Sequence, residues 1–170
     1  MDVKELLDQF TLFDPAKGQR AELPAVEGNY IVVLKAGCNI PDVLGNFKYT
    51  EISLHGVNYR VLYTGIASDL KRRIWTNHLH GNGGTSTFRK TLGSLFGYQK
   101  IPRDKNYQNN KKTKFGAEDE NSLTAWMEHN LLFAYLANDK SKELESFLID
   151  SLLPPLNVEG SKAATLQRVH

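Results

Sequence analysis

Two tyrosines, an arginine and a glutamate carry most of the chemistry this sequence can offer. They stand in Gly28-Asn29-Tyr30, in Tyr63-Thr64-Gly65, at Arg73 and at Glu145, which is followed by Pro154 and Asn157. A guanidinium presents a planar fork of donors that matches phosphate oxygens. A single carboxylate suits Mg²⁺, which commonly keeps several waters and takes few protein ligands. Hydrolysis of a phosphodiester needs an attacking water that loses its proton, neutralisation of transition-state charge, and help for the leaving oxygen. A strand tyrosine, a helix arginine or a helix glutamate is uninformative alone. Their order and spacing are the signal.

In that order the pieces resemble the GIY-YIG nuclease superfamily, which takes its name from two short strand motifs. Gly28-Asn29-Tyr30 stands for the first motif and Tyr63-Thr64-Gly65 for the second, with Asn29 and Thr64 in place of the middle isoleucines. The family arginine follows the second tyrosine by about ten residues, as Arg73 does within Asp69-Leu70-Lys71-Arg72-Arg73-Ile74. Its glutamate lies in a late helix ahead of a proline and an asparagine, as Glu145 does ahead of Pro154 and Asn157. The resemblance runs from Gly28 to Asn157, and the combined pattern is far more specific than either tripeptide.

The resemblance implies Tyr30 as general base or water-aligning group, with Tyr63 as its partner. Arg73 is implied as the phosphate contact, and Glu145 as the carboxylate for Mg²⁺ or Mn²⁺. A free tyrosine has a pKa of ~10, so a basic role requires depression by a neighbouring cation such as Arg73. The family often places a histidine or tyrosine four residues after the arginine, where this chain has Asn77. His78 is one step further and His80 lies seven residues past Arg73; His78 is preferred because its displacement is smallest. With an unperturbed pKa of ~6.5 it is a base needing little tuning. Glu143 is a rival carboxylate, but two helical steps turn a side chain by about 200°, so it cannot share a site with Glu145. Spacing to Pro154 favours Glu145.

The elements that must position these groups are legible from periodicity. Asp2 caps a short amphipathic helix through Val3, Leu6, Leu7 and Phe10. Tyr30 to Leu34 is a buried β-branched strand. Phe47 to Leu54 and Val57 to Tyr63 flank His55-Gly56 as a hairpin, with Tyr59, Val61 and Tyr63 alternating onto one face. Ser68 caps a helix reaching about Leu79, and Thr85 or Ser86 caps the next, with Phe88, Leu92, Leu95 and Phe96 as its apolar stripe. A helix near Asn121 and a last one over roughly Ser141 to Leu153 follow, the latter stopped by Pro154-Pro155. The expected fold is one α/β (α+β) domain: a small, mainly antiparallel central sheet flanked by helices. Residues 1–27 form an N-terminal helix and connection, 28–160 the nuclease-like domain, and 161–170 a C-terminal tail.

Composition agrees with a globular chain: 41% of the 170 residues are hydrophobic and 24% charged, the balance of one ordinary domain. There is no membrane-length apolar run and no signal-peptide pattern at Met1-Asp2-Val3-Lys4-Glu5, and Cys38 is alone, so a cytoplasmic location is expected. Net charge is only +2, yet Lys100, Arg103, Lys105, Lys111, Lys112 and Lys114 face a single Asp104 between positions 100 and 114. That Asn-rich stretch lacks helical or strand period and reads as a mobile arm that contacts DNA phosphates through Lys111, Lys112 and Lys114. Arg89 and Lys90, in the first turn of a capped helix, are further candidate phosphate contacts. The expected function is metal-dependent endonucleolytic cleavage of DNA, with RNA not excluded. Two competing classes are an inactive nucleic-acid-binding domain of the same fold and an unrelated protein acting on a phosphorylated metabolite. In the last case the four residues would lie apart.

Overall fold

The computed structural model describes residues 2–40, 46–157 and 168–169. Five strands form one antiparallel sheet: β1 (Thr11–Phe13), β2 (Gly28–Leu34), β4 (Glu51–Leu54), β5 (Val57–Ala67) and β8 (Leu131–Ala137), in the order β1-β8-β2-β5-β4. The most apolar strand, β2, is central and buried along its whole length between β8 and β5. Two residues with positive φ, His55 and Gly56, turn β4 into β5 as the sequence predicts. A separate two-residue pair joins β3 (Asn46–Phe47) to β9 (Arg168–Val169), so Phe47 does not extend β4. Apart from β9, the expected tail 161–170 lies outside the described residues.

Each face of the sheet has its own apolar layer. On one, Ile31, Val33 and Val61 pack with Leu6, Leu7 and Phe10 around helix α1 (Val3–Leu7) and with Leu144, Leu148 and Leu152 of helix α5 (Ser141–Leu152). On the other, Tyr30, Val32, Leu34 and Leu62 meet Ile74, Leu79, Phe88, Leu92, Leu123 and Met127. Those last six come from a helix at Arg72–Leu79, from α2 (Thr87–Leu95) and from α4 (Ala117–Asn130). Alternation along β2 thus sends Tyr30 and Asn29 to opposite sides.

Three local departures from regularity matter. The β2/β5 register shifts between Val32, opposite Tyr63, and Val33, opposite Val61, leaving Leu62 as the extra residue of a bulge. The expected single face for Tyr59, Val61 and Tyr63 is therefore broken: Tyr59 and Val61 keep to the α5 side while Tyr63 turns to the side of Tyr30. Bulges re-aim side chains in this way. Next, Arg72–Leu79 is a π-helix, with the His80 amide bonded to the Trp75 carbonyl, and its first turn is capped by the Asp69 side chain rather than Ser68.

The third departure concerns the basic stretch, which is an ordered hairpin and not an arm without period. Strand β6 (Lys100–Pro102) pairs with β7 (Thr113–Phe115), and a short helix α3 (Tyr107–Asn110) lies at the tip. Phe115 anchors it in the core beside Gly93 and Gly83. The Asn-rich composition hid strands only three residues long.

Candidate active site

Tyr30 is wholly buried at the middle of β2, opposite Gly65 on β5. A Cβ on Gly65 would lie 2.5 Å from the Tyr30 hydroxyl oxygen, so the second motif ends in glycine because the first motif's ring occupies that space. Across the bulge Tyr63 brings its ring to 6.1 Å from that of Tyr30. His78, also buried, places Nε2 2.6 Å from the Tyr30 hydroxyl and Nδ1 2.7 Å from Ser86 Oγ. Ser86 caps α2, accepting the Arg89 amide at 3.0 Å. A hydrogen-bonded row, Tyr30–His78–Ser86, therefore runs from the sheet to the start of α2.

The π-helix explains the position of that histidine. In an α-helix a residue five positions after Arg73 would be turned about 140° away from it. A helix bonded from i to i+5 brings that residue back toward the same face. His78 thus fills the place that Asn77 occupies by count. His80 instead is exposed and lies tilted against Trp75, with ring centroids 4.5 Å apart.

Arg73 and Glu145 complete the group. Both are half-buried, and both act electrostatically on Tyr30: burial raises its pKa well above 10 first of all, Tyr63 adds to this, Arg73 opposes it, and Glu145 raises it again. The depression that a basic role for Tyr30 would need is therefore absent, because burial outweighs the arginine. His78 is pushed the other way, down to about 3, by burial first and then by the charges of Arg73 and Arg89. It is neutral across the physiological range. Burial also raises the pKa of Glu145, whose carboxyl has no hydrogen bond or ion pair among the described residues. Glu143 is exposed on another side of α5.

Among the described residues no three acid, histidine or cysteine side chains gather as a metal cage. A single unpaired, partly desolvated carboxylate fits a hard cation that keeps most of its waters. The donor set is thus compatible with Mg²⁺ or Mn²⁺ at Glu145.

Two groups that periodicity did not single out tie the site together. Asn157 clamps β5 through both ends of its amide: Oδ1 accepts the Thr64 N–H at 2.9 Å and Nδ2 donates to the Thr64 carbonyl at 2.7 Å. The Thr64 hydroxyl in turn donates to the Tyr30 carbonyl at 2.8 Å. Glu120, buried on α4, binds Arg89 through Oε1 and the amides of Gly83 and Phe115 through Oε2. A buried glutamate in an acidic first turn has no sequence signal that separates it from its neighbours Glu118 and Asp119.

Arg89 corrects an expectation. It is fully buried, and its donors go to Glu120, Thr124 and the carbonyls of His78 and Leu79. None remains for a phosphate; its part is to hold the end of the π-helix. Lys90 is half-exposed, and its pKa is lowered by burial and then by Lys100, Lys112 and Arg103. These cations crowd one side of the hairpin, one turn beyond Ser86. Lys111 and Lys112 are exposed and Lys114 half-exposed.

The neutral histidine makes a measurable demand. Its folded pKa lies below its unfolded value, so the unfolded chain binds more protons between about pH 3 and 6.5, and stability is lost as pH falls through that window. From pH 7.5 to 5.0 the contribution of His78 is a loss of about 2 kcal/mol. Urea unfolding should show this loss in the wild type and markedly less in His78→Gln; equal losses would contradict a buried neutral imidazole.

The comparisons with known proteins bear on this geometry. Residues 28–169 match the family pattern described as the GIY-YIG catalytic domain. No curated protein and no solved structure matches the chain. The match covers far more than half of the sequence and begins at the glycine of the first motif. With the antiparallel sheet, the two motif tyrosines and the arginine helix in place, the chain belongs to the GIY-YIG family of nuclease-type domains.

Proposed function

We propose that this protein is a divalent-metal-dependent endonuclease that hydrolyses phosphodiester bonds, with DNA as its substrate. The observation that carries the reading is the contact of Tyr63 and His78 with the buried Tyr30, with Arg73 and Glu145 near enough to act electrostatically on the same phenol. A family resemblance by coincidence would leave these residues apart.

Arg73 binds the scissile phosphate through its fork and neutralises charge as the transition state forms. Tyr63, the less buried of the two tyrosines, meets the attacking water. Its hydroxyl orients the water, and the proton passes by way of Tyr30 to Nε2 of His78. A phosphodiester seated on Arg73 cancels one of the charges that depress His78, so substrate makes the imidazole a stronger base at the moment it is needed. A cation held by Glu145 would supply Lewis-acid stabilisation of the leaving alkoxide. Tyr30 thus serves as an aligning and relaying group rather than a free phenolate.

Lys90 and the hairpin cations carry binding. Lys111, Lys112 and Lys114 contact phosphates outside the scissile one. Each engaged lysine contributes about 0.9 to the slope of log affinity against log salt for duplex DNA. Replacing all three with alanine should weaken binding and flatten that slope by roughly two to three units, with little change in cleavage at saturating DNA. An unaltered slope would leave the hairpin as solvated surface. Cytoplasmic residence belongs to the same reading, given a lone Cys38; among the described residues no helix is long and apolar enough to cross a membrane.

The test is incubation of the purified protein with duplex DNA and with RNA, in Mg²⁺, in Mn²⁺ and in chelator. Internal scission of DNA that requires the cation supports the proposal. Binding without cleavage of either nucleic acid would overturn it and favour an inactive member of the fold; cleavage of RNA alone would overturn the choice of substrate.

A further inference from the structure

On the side of β2 opposite Tyr30, a buried amide does something an apolar residue could not. Asn29 is fully buried and faces the layer that α5 packs against. Its Nδ2 donates to the Ser141 carbonyl at 2.8 Å, and its Oδ1 accepts from Asn138 Nδ2 at 3.0 Å. Around this pair the turn into α5 is pinned at several further points. The Asn138 amide donates to the Glu27 carbonyl at 3.0 Å, Asn138 Oδ1 accepts the Lys140 N–H at 3.1 Å, and the Ser141 hydroxyl donates to the Glu27 carboxylate at 2.7 Å.

Ser141 opens α5, and its carbonyl is the one that an α-helix offers to the amide four residues on, that of Glu145. Asn29 therefore grips the turn that carries Glu145, while its chain neighbour Tyr30 carries the buried phenol. The α5 N-cap, Lys140, makes no side-chain cap of its own, so the helix start depends on this bracket. We infer that Asn29 is a positioning residue: its amide sets where Glu145 stands relative to Tyr30, and with it the place of the divalent cation. This rests on the reading of Glu145 as the cation-holding carboxylate.

The variant is Asn29→Ile, which places a β-branched apolar residue in an apolar layer and removes both hydrogen bonds. Leu23→Ala, in the opposite layer, serves as a destabilising control. In Asn29→Ile kcat should fall about tenfold to a hundredfold, the scale for a displaced catalytic group, while KM for DNA stays put because the hairpin is untouched. Mn²⁺ affinity of the nucleic-acid-free protein, read by electron paramagnetic resonance, should drop about tenfold or more, as for loss of a supporting bond behind a ligand. Amide exchange at Glu145 should quicken relative to the amides of β2 and β5, a local rather than global opening. In Leu23→Ala, kcat and Mn²⁺ affinity should hold. Unchanged Mn²⁺ affinity and kcat in Asn29→Ile would overturn the inference, as would exchange that quickens uniformly across the sheet. If the wild type cuts no nucleic acid, the nuclease reading fails, yet the Mn²⁺ and exchange measurements still decide whether Asn29 places Glu145.

Discussion

Glu145→Ala should abolish cation-dependent cleavage while leaving the fold and DNA binding intact. Its carboxyl is partly desolvated without a hydrogen bond or ion pair among the described residues, and no three acid, histidine or cysteine side chains gather there as a metal cage. A loss of ~10² or more is the scale expected when a single transition-state charge contact disappears, and loss of the cation itself lies beyond that. Thermal stability should hold or rise slightly, because burial already disfavours the charged form of this side chain in the folded state. Arg73→Ala should cost ~10² at the same step. Wild-type rates in a folded Glu145→Ala protein would end the assignment of the cation to α5.

The largest loss of stability is expected on the other side of the site. Glu120→Ala leaves the Arg89 guanidinium fully buried without its carboxylate and also strips the amides of Gly83 and Phe115 of their acceptor. Removing one partner of such a pair costs about 3–5 kcal/mol. Urea denaturation should register that loss, and a second replacement, Arg89→Met, should recover part of it by removing the stranded charge. Exposed Lys111→Ala should change stability by less than about 0.5 kcal/mol. If Glu120→Ala is equally mild, the Arg89–Glu120 pair does not hold the π-helix. At temperatures where the Glu120→Ala protein is still folded, its kcat should also suffer, since Arg89 fixes the carbonyl of His78.

Much of this was readable from residue order. The strand Tyr30 to Leu34, the turn at His55-Gly56 and the stop at Pro154 follow from β-branching, backbone freedom and the missing N–H of proline. The two motif tyrosines meet, and Arg73 and Glu145 come near enough to act electrostatically on Tyr30, because the strands and helices that carry them pack in the order the resemblance implies. What could not be read is where local geometry overrides period. Leu62 looks like any alternating strand residue, yet as the bulge it sends Tyr63 to the opposite face from Val61. Arg89 looks like a first-turn surface cation, and only the tertiary placement of Glu120 and Thr124 makes it a buried hub. The stretch 100–115 has strands too short for alternation to register, and they are held by Phe115 rather than by their own pattern. Asn29 and Thr64 read as defects in the motifs, whereas each supplies a buried hydrogen bond that isoleucine lacks.

The π-helix has a consequence for how such a site is found at all. The distance along the chain from Arg73 to its histidine partner is not a fixed number but a reading of the helix type between them. Widening the turn inserts one residue without moving the two functional groups apart in space. Counting four from the arginine lands on Asn77 and finds no histidine. Counting in turns of the ladder lands on His78, two hydrogen bonds deep in the same row as Tyr30 and Ser86. Residue spacing in a pattern is therefore a coordinate with a local metric, and a one-residue disagreement inside a helix is better taken first as evidence about winding than as evidence about function.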